Sequence, residues 1–102
     1  MKYVQTVCGR IKPEEMGFTL PHEHIFWDLS FYLPDEVKGA PAEDRRRQPI
    51  CLENLGDLKF HLWEYADNVI QQDEEVAYRE LLWYKEAGGG TICDNSSYGL
   101  RG

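Results

Sequence analysis

Phe18-Thr19-Leu20-Pro21-His22-Glu23-His24-Ile25 is a short apolar run closed by two histidines one residue apart. On a β-strand, side chains alternate between faces. Phe18, Leu20, His22 and His24 then share one face, and Thr19, Pro21, Glu23 and Ile25 the other. Residues two apart along a strand are separated by roughly 6.6 Å. Two imidazoles at that spacing can tilt onto one metal ion, each nitrogen about 2.0–2.1 Å from it. The apolar neighbours on the histidine face place the pair at the end of a buried strand. The same pair also reads as a polar strand end with each ring bonded to a carbonyl or to water, since most histidines are not ligands. Two ligands do not complete a catalytic zinc site, which takes three protein ligands and an open position. The others must come from elsewhere. Pro21 removes a ladder donor within this strand, so a bulge or similar local device is expected beside it.

Outward from that strand, Tyr3–Cys8 is rich in β-formers and is stopped by Gly9, which predicts a short strand and the first arm of a hairpin continuing through Arg10–Ile11. Pro13–Gly17 reads as a single helical turn: proline first, acids next, glycine to close. On the other side, Phe26–Leu33 is unusually aromatic. Its rings, Phe26 and Trp27 foremost, either line a pocket over the metal that suits an apolar substrate, or plug one end of the core. Asp28 reads as a cap or surface residue rather than a ligand.

Pro34–Pro49 is a proline-rich loop carrying Arg45, Arg46 and Arg47. The arginines either hold an anion or a neighbouring chain, or form a solvated charge run, the commoner use of such a run. Leu52–Trp63 has apolar residues at 52, 55, 58 and 62, a helical spacing weakened by Gly56. His61 within it reads as a surface residue. Asp73–Ala87 is the clearest helix, with acids in its first turn, Lys85 near its end, and Gly88-Gly89-Gly90 to stop it. Thr91–Asp94 then reads as a short buried strand, followed by a polar, turn-rich segment.

Composition sets outer bounds. A chain of 102 residues with 42% hydrophobic and 13% aromatic residues can build one small core and is unlike a disordered segment. A net charge of −7 argues against nucleic-acid binding, which leaves a basic footprint. No apolar run reaches the ~18 residues of a membrane span, and the first residues lack the apolar core of a signal peptide. Cys8, Cys51 and Cys93 are odd in number, widely spaced and form no CxxC pair. They read as free thiols of a reducing, cytoplasmic compartment, each a small core residue.

Strand, helix, strand in that order is a βα unit feeding a parallel strand. A parallel sheet needs further strands and covering helices, so the chain reads as α/β and as the N-terminal piece of a larger barrel or open sheet.

Specific strings then carry a resemblance. Val4-Gln5-Thr6-Val7, Met16–His24, Glu86–Asp94 and Tyr98–Arg101 resemble, in order and across essentially the whole chain, the phosphotriesterase family of metal-dependent (β/α)8 barrels in the amidohydrolase superfamily. The Gly-Phe-Thr-Leu-x-His-Glu-His string is far more specific than His-X-His alone. The resemblance implies that residues 1–102 are the N-terminal part of such a barrel: a short hairpin, the first two barrel strands and the intervening helices. It implies that His22 and His24 bind the more buried of two divalent metals, usually zinc, and that Glu23 faces away. Asp94 lies at the rim where barrel active sites sit and takes a supporting role.

The implied activity is hydrolysis of lactone or phosphotriester-type substrates by a hydroxide bridging the two metals. A homodimer is the implied assembly of the complete enzyme. The family's bridging lysine, later histidines and final aspartate belong to later strands, and a barrel takes roughly 250 residues. No catalytic residue is therefore assigned within this stretch, and the 102 residues alone are expected to be inactive. Gly99-Leu100-Arg101-Gly102 also departs from the Gly-Leu-Gly-Arg-Asp often found in relatives. The alternative is a truncated, non-catalytic remnant that acts by association with another chain through its open sheet edge.

Overall fold

A computed structural model describes residues 1–34 and 42–100. Six strands and three α-helices are present among them: β1 (Val4–Thr6), β2 (Gly9–Ile11), β3 (Phe18–Glu23), β4 (Trp27–Asp28), α1 (Leu55–Leu58), α2 (Ala66–Val69), β5 (Ile70–Gln71), α3 (Glu74–Glu86) and β6 (Gly89–Asp94). They divide into two compact units. One comprises Met1–His24 with Glu74–Asn95, the other Ile25–Asp73 with Ser96–Gly102.

The first unit begins with the expected hairpin. β1 and β2 pair antiparallel, Val4 with Ile11 and Thr6 with Gly9. Gly9 takes φ +119°, a conformation L side chains rarely adopt, which is why glycine turns this corner. The Thr6 hydroxyl ties the turn from inside, donating to the Gly9 carbonyl at 2.7 Å and accepting the Cys8 N–H at 3.1 Å. Pro13–Glu15 forms the single turn read from the sequence, as a 3-10 turn. The Glu15 carboxylate reaches back to the Lys12 N–H at 2.6 Å.

β3 and β6 pair parallel, joined through the crossover that ends in α3. Their register is irregular at both ends. Phe18 faces Gly89 while Thr19 faces Thr91, leaving Gly90 as the extra residue. Further on, Leu20 faces Ile92 and Glu23 faces Asp94, so Pro21 and His22 together oppose Cys93. This is the bulge expected at Pro21. Two residues set against one absorb a position that cannot donate to the ladder.

α3 fits the helix expected over 73–87. Ala77, Leu81 and Tyr84 are its more buried apolar positions, spaced four and three residues apart. Tyr78 and Trp83, on other faces, are exposed. The Tyr84 hydroxyl lies 2.8 Å from both the Phe18 and the Thr91 carbonyl oxygens and so joins the helix to both strands. The three glycines that follow α3 have separate roles. Gly88 turns the chain at φ +103°, and Gly89 lies against the Tyr84 ring. Gly90 lies against the Met16 carbonyl.

The second unit is held by turns and one polar network. β4 and β5 pair antiparallel, Trp27 with Gln71 and Asp28 with Ile70. Tyr65 and Val69 are fully buried, with Leu58 close behind. The continuous helix expected over 52–63 is not formed. A 3-10 turn at Leu52–Asn54 runs into the four-residue α1, and single-turn bonds follow from the Phe60, His61 and Glu64 N–H groups to the carbonyls of Asp57, Leu58 and His61. Gly56 weakens the helix. The Asn54 side chain is also taken up locally, accepting from the Cys51 N–H and donating to the Pro49 carbonyl, both at 2.9 Å.

The Arg45–Arg47 run is likewise not a solvated face throughout. Arg46 and Arg47 are exposed, but Arg45 is buried, its guanidinium 2.7 and 2.9 Å from the two Asp57 carboxylate oxygens and 3.2 Å from Glu64. The Tyr65 hydroxyl adds a third donor to Asp57 at 2.5 Å. Arg45, and after it Tyr65, hold the Asp57 carboxyl well below the usual carboxylate range. His61 packs between Glu64, at 2.5 Å, and Asp57, at 3.7 Å, and so belongs to this network. The central part of the loop read over Pro34–Pro49, residues 35–41, lies outside the described residues.

The three cysteines also differ from expectation. All are free, and all are exposed rather than core residues. Cys8 sits at the hairpin tip, Cys51 opens a 3-10 turn, and Cys93 stands opposite the bulge. No described helix is long and apolar enough to cross a membrane.

Candidate metal centre

The histidine pair forms where β3 ends. His22 lies within the bulge, and His24 follows the last ladder pair, Glu23 with Asp94. Because β3 and β6 run parallel, their carboxyl ends share one edge, which gathers His22, His24 and Asp94 at that edge. The two imidazole rings stand edge to face, centroids 5.2 Å apart and planes at 77°. Two imidazole nitrogens each about 2.0–2.1 Å from one tetrahedral ion put their ring centroids about 5 Å apart. The ring centroids thus stand at a separation that two ligands of one ion also show.

Both histidines are exposed, contrary to a placement on a buried strand face. The cause is local. β6 is the strand partner of β3 among the described residues, and both histidines lie where the ladder is interrupted or has ended. Glu23 is half-buried, in register with Asp94, and its carbonyl accepts the Asn95 N–H at 3.0 Å. Among the described residues no group of three or more His, Cys, Asp or Glu side chains is placed to hold a metal ion.

One neighbour escapes sequence reasoning. The Asn95 side-chain amide nitrogen lies 3.1 Å from His22 Nδ1 across a separation of 73 residues. The only sequence signal is a polar residue directly after the strand-ending Asp94.

The aromatic residues that follow the pair belong to the second unit. Phe26 and Trp27 are half-buried, Trp27 on β4. Phe31 and Tyr32 are exposed and stack in series with Trp63, centroids 4.4 and 4.6 Å apart. Asp28 closes a local turn; hydrogen bonding by the Ser30 side chain, and after it by the Ser30 backbone N–H at 2.9 Å, lowers its pKa.

The sequence profile of the phosphotriesterase family matches residues 2–101. The chain belongs to the phosphotriesterase family. Phosphotriesterase-related proteins of Drosophila mojavensis and Drosophila ananassae are each 39% identical to it over 105 residues, covering 99% of this chain and 29% of their own length. A solved structure, of a resiniferatoxin-binding protein from Rhodobacter sphaeroides, superposes with a TM-score of 0.82 at 26% identity. The match covers 92% of this chain and 26% of that one. This phosphotriesterase-family chain thus spans under a third of the relatives it matches, and its fold is the N-terminal part of a (β/α)8 barrel. The parallel β3–β6 pair with the α3 crossover is one βα repeat of that architecture.

Proposed function

We propose that this chain supplies the first two metal ligands, His22 and His24, of a metal-dependent hydrolase that cleaves ester bonds of lactone or phosphotriester type. The observation that carries the reading is the edge-to-face imidazole pair, 5.2 Å between centroids, at the carboxyl end of a parallel barrel strand. Active sites of such barrels lie at that end. Two divalent ions, zinc by family habit, would lower the pKa of a water molecule and polarise the scissile bond. The residues of this chain hold and orient. His22 and His24 offer imidazole nitrogens, while Glu23 and Asp94 fix the strand ends on which the rings stand. Two imidazoles leave a catalytic site short of ligands, so the 102 residues by themselves turn over no substrate.

The test uses the protein from its natural source and its His22→Ala and His24→Ala variants. Lactone and phosphotriester hydrolysis should fall to background on chelation, return with zinc, and stay lost in both variants. Activity that survives chelation, or that survives loss of either histidine, overturns the reading. A second reading rests on the β3–β6 sheet, which has two strands among the described residues and no further strand on either outer edge. Such edges accept strands from another chain, so a non-catalytic role by association is the alternative. The intact mass of the natural protein separates the two, since about 11.9 kDa favours association and a barrel-sized mass favours the hydrolase.

A further inference from the structure

We propose that Asn95 is a positioning residue for His22: its side-chain amide holds the ring at Nδ1 and so leaves the Nε2 edge to face the metal ion. The inference rests on the metal reading of the histidine pair and extends it to a residue outside the ligand set.

The contact is built by the backbone. The Asn95 N–H donates to the Glu23 carbonyl at 3.0 Å, which pins Asn95 to the residue between the two histidines. From that anchor the amide nitrogen reaches His22 Nδ1 at 3.1 Å. A neutral imidazole has one nitrogen that donates and one that accepts. An amide N–H directed at Nδ1 favours the tautomer in which Nδ1 accepts and Nε2 is the donor. When a metal ion takes Nε2, the proton must sit on Nδ1, and Nδ1 becomes a donor. The Asn95 amide serves both states, because half a turn about its last side-chain bond presents Oδ1 in place of Nδ2. A carboxylate at this position could serve only the second. Ring nitrogens opposite a ligating nitrogen are commonly held by such a partner, and losing it typically weakens metal binding about 10–100-fold.

The test uses the whole 102-residue chain, labelled with 15N, and reads the histidine ring nitrogens before and during titration with Zn²⁺ against a competing chelator. In the parent chain, metal-free His22 should show Nδ1 as the unprotonated nitrogen, and zinc should perturb Nε2. Asn95→Ala should show mixed ring tautomers at His22 in the metal-free chain, weaken zinc binding about 10–100-fold, and leave the His24 pattern as in the parent. Asn95→Asp should restore zinc affinity to the parent level or above, since its carboxylate accepts from Nδ1–H. Asn95 is exposed, and alanine keeps the backbone bond to Glu23, so circular dichroism should be unchanged. Parent affinity together with the parent ring pattern in Asn95→Ala overturns the proposal. If His22→Ala and His24→Ala bind zinc as the parent does, the metal reading itself falls and the proposal with it. In that case a tautomer change in metal-free Asn95→Ala still registers the amide contact, so the two failures are distinguishable.

Discussion

Adding one methyl group at Gly90 should cost this chain much of its stability. A Cβ there would fall inside contact distance of the Met16 carbonyl oxygen and lie 3.1 Å from the Gly17 Cα and 3.2 Å from the Met16 carbonyl carbon. These are backbone atoms, so no side chain can swing aside. They are also held: the Met16 N–H bonds to the Pro13 carbonyl at 3.2 Å, and Gly17 sits at φ +64°. Relief requires β6 to withdraw from the Met16–Gly17 segment, which breaks the bond from the Thr91 hydroxyl to the Met16 carbonyl, now 2.7 Å. Overpacking of this kind costs about 1–3 kcal/mol, and the lost hydrogen bond adds about 0.5–1.5 kcal/mol. Restricting the unfolded chain returns only about 0.4–1 kcal/mol. The net destabilisation of Gly90→Ala is thus about 0.5–4 kcal/mol, against about 5–15 kcal/mol for an ordinary domain. At about 4–8 °C per kcal/mol, Tm should fall by at least about 2 °C. The control is Gly56→Ala, where an added Cβ meets nothing within 4 Å inside α1 and alanine should raise stability by about 0.5–1 kcal/mol. Thermal unfolding followed by circular dichroism reads both variants. A Gly90→Ala Tm equal to that of the parent would refute the reasoning.

Three further outcomes are expected. Tyr84→Phe removes the hydroxyl shared by the Phe18 and Thr91 carbonyls and should lower stability in urea by about 0.5–1.5 kcal/mol, while an unchanged midpoint would show that the bond contributes nothing. Asp57 has a folded pKa depressed by Arg45 and Tyr65, so its contribution is fully present above the unfolded value of about 3.9 and is lost as pH falls through the lower folded value. Asp57→Asn should therefore destabilise the chain at neutral pH and flatten the decline of stability below pH ~4; an unaltered acid limb in the variant would contradict the assignment. Cys8, Cys51 and Cys93 are exposed and free, so an aromatic disulfide reagent should titrate all three thiols without denaturant, and protection of any one would place it differently.

The elements that sequence anticipates are those set by neighbours in the chain. The hairpin needs Gly9 at its turn, and α3 needs its apolar spacing and the glycine that ends it. The bulge follows from a single missing donor at Pro21. What escapes depends on partners far along the chain. Arg45 looks like one of three surface arginines until Asp57 and Glu64, 12 and 19 residues away, enclose it. Gly89 and Gly90 look like more of a helix stop, yet their lack of a side chain answers to Tyr84 and Met16. The apolar period over 52–63 is genuine, but Gly56 and the side-chain bonds of Asn54 break the run into single turns. At the candidate site the two ligating types and their spacing are visible in sequence. Their exposure and the Asn95 contact are not, because both arise from the register of β6 against β3.

The first unit is assembled from two stretches, Met1–His24 and Glu74–Asn95, with Ile25–Asp73 between them. Joining ends across an intervening stretch has an entropy cost that grows only with the logarithm of its length, about 0.6 kcal/mol per doubling. The intervening segment can therefore lengthen or shorten among relatives with little effect on the β3–β6 pairing. Time is affected more than energy. At about 5–20 residues per second, roughly 4–14 s of synthesis separate β3 from its partner strand. During that interval β3 is a short unpaired strand beside the ribosome, the form in which strands most readily join the wrong chain. Pro21, which cannot donate to a ladder, makes β3 a poor template for such errors, so the residue that shapes the histidine pair also guards the nascent strand while it waits.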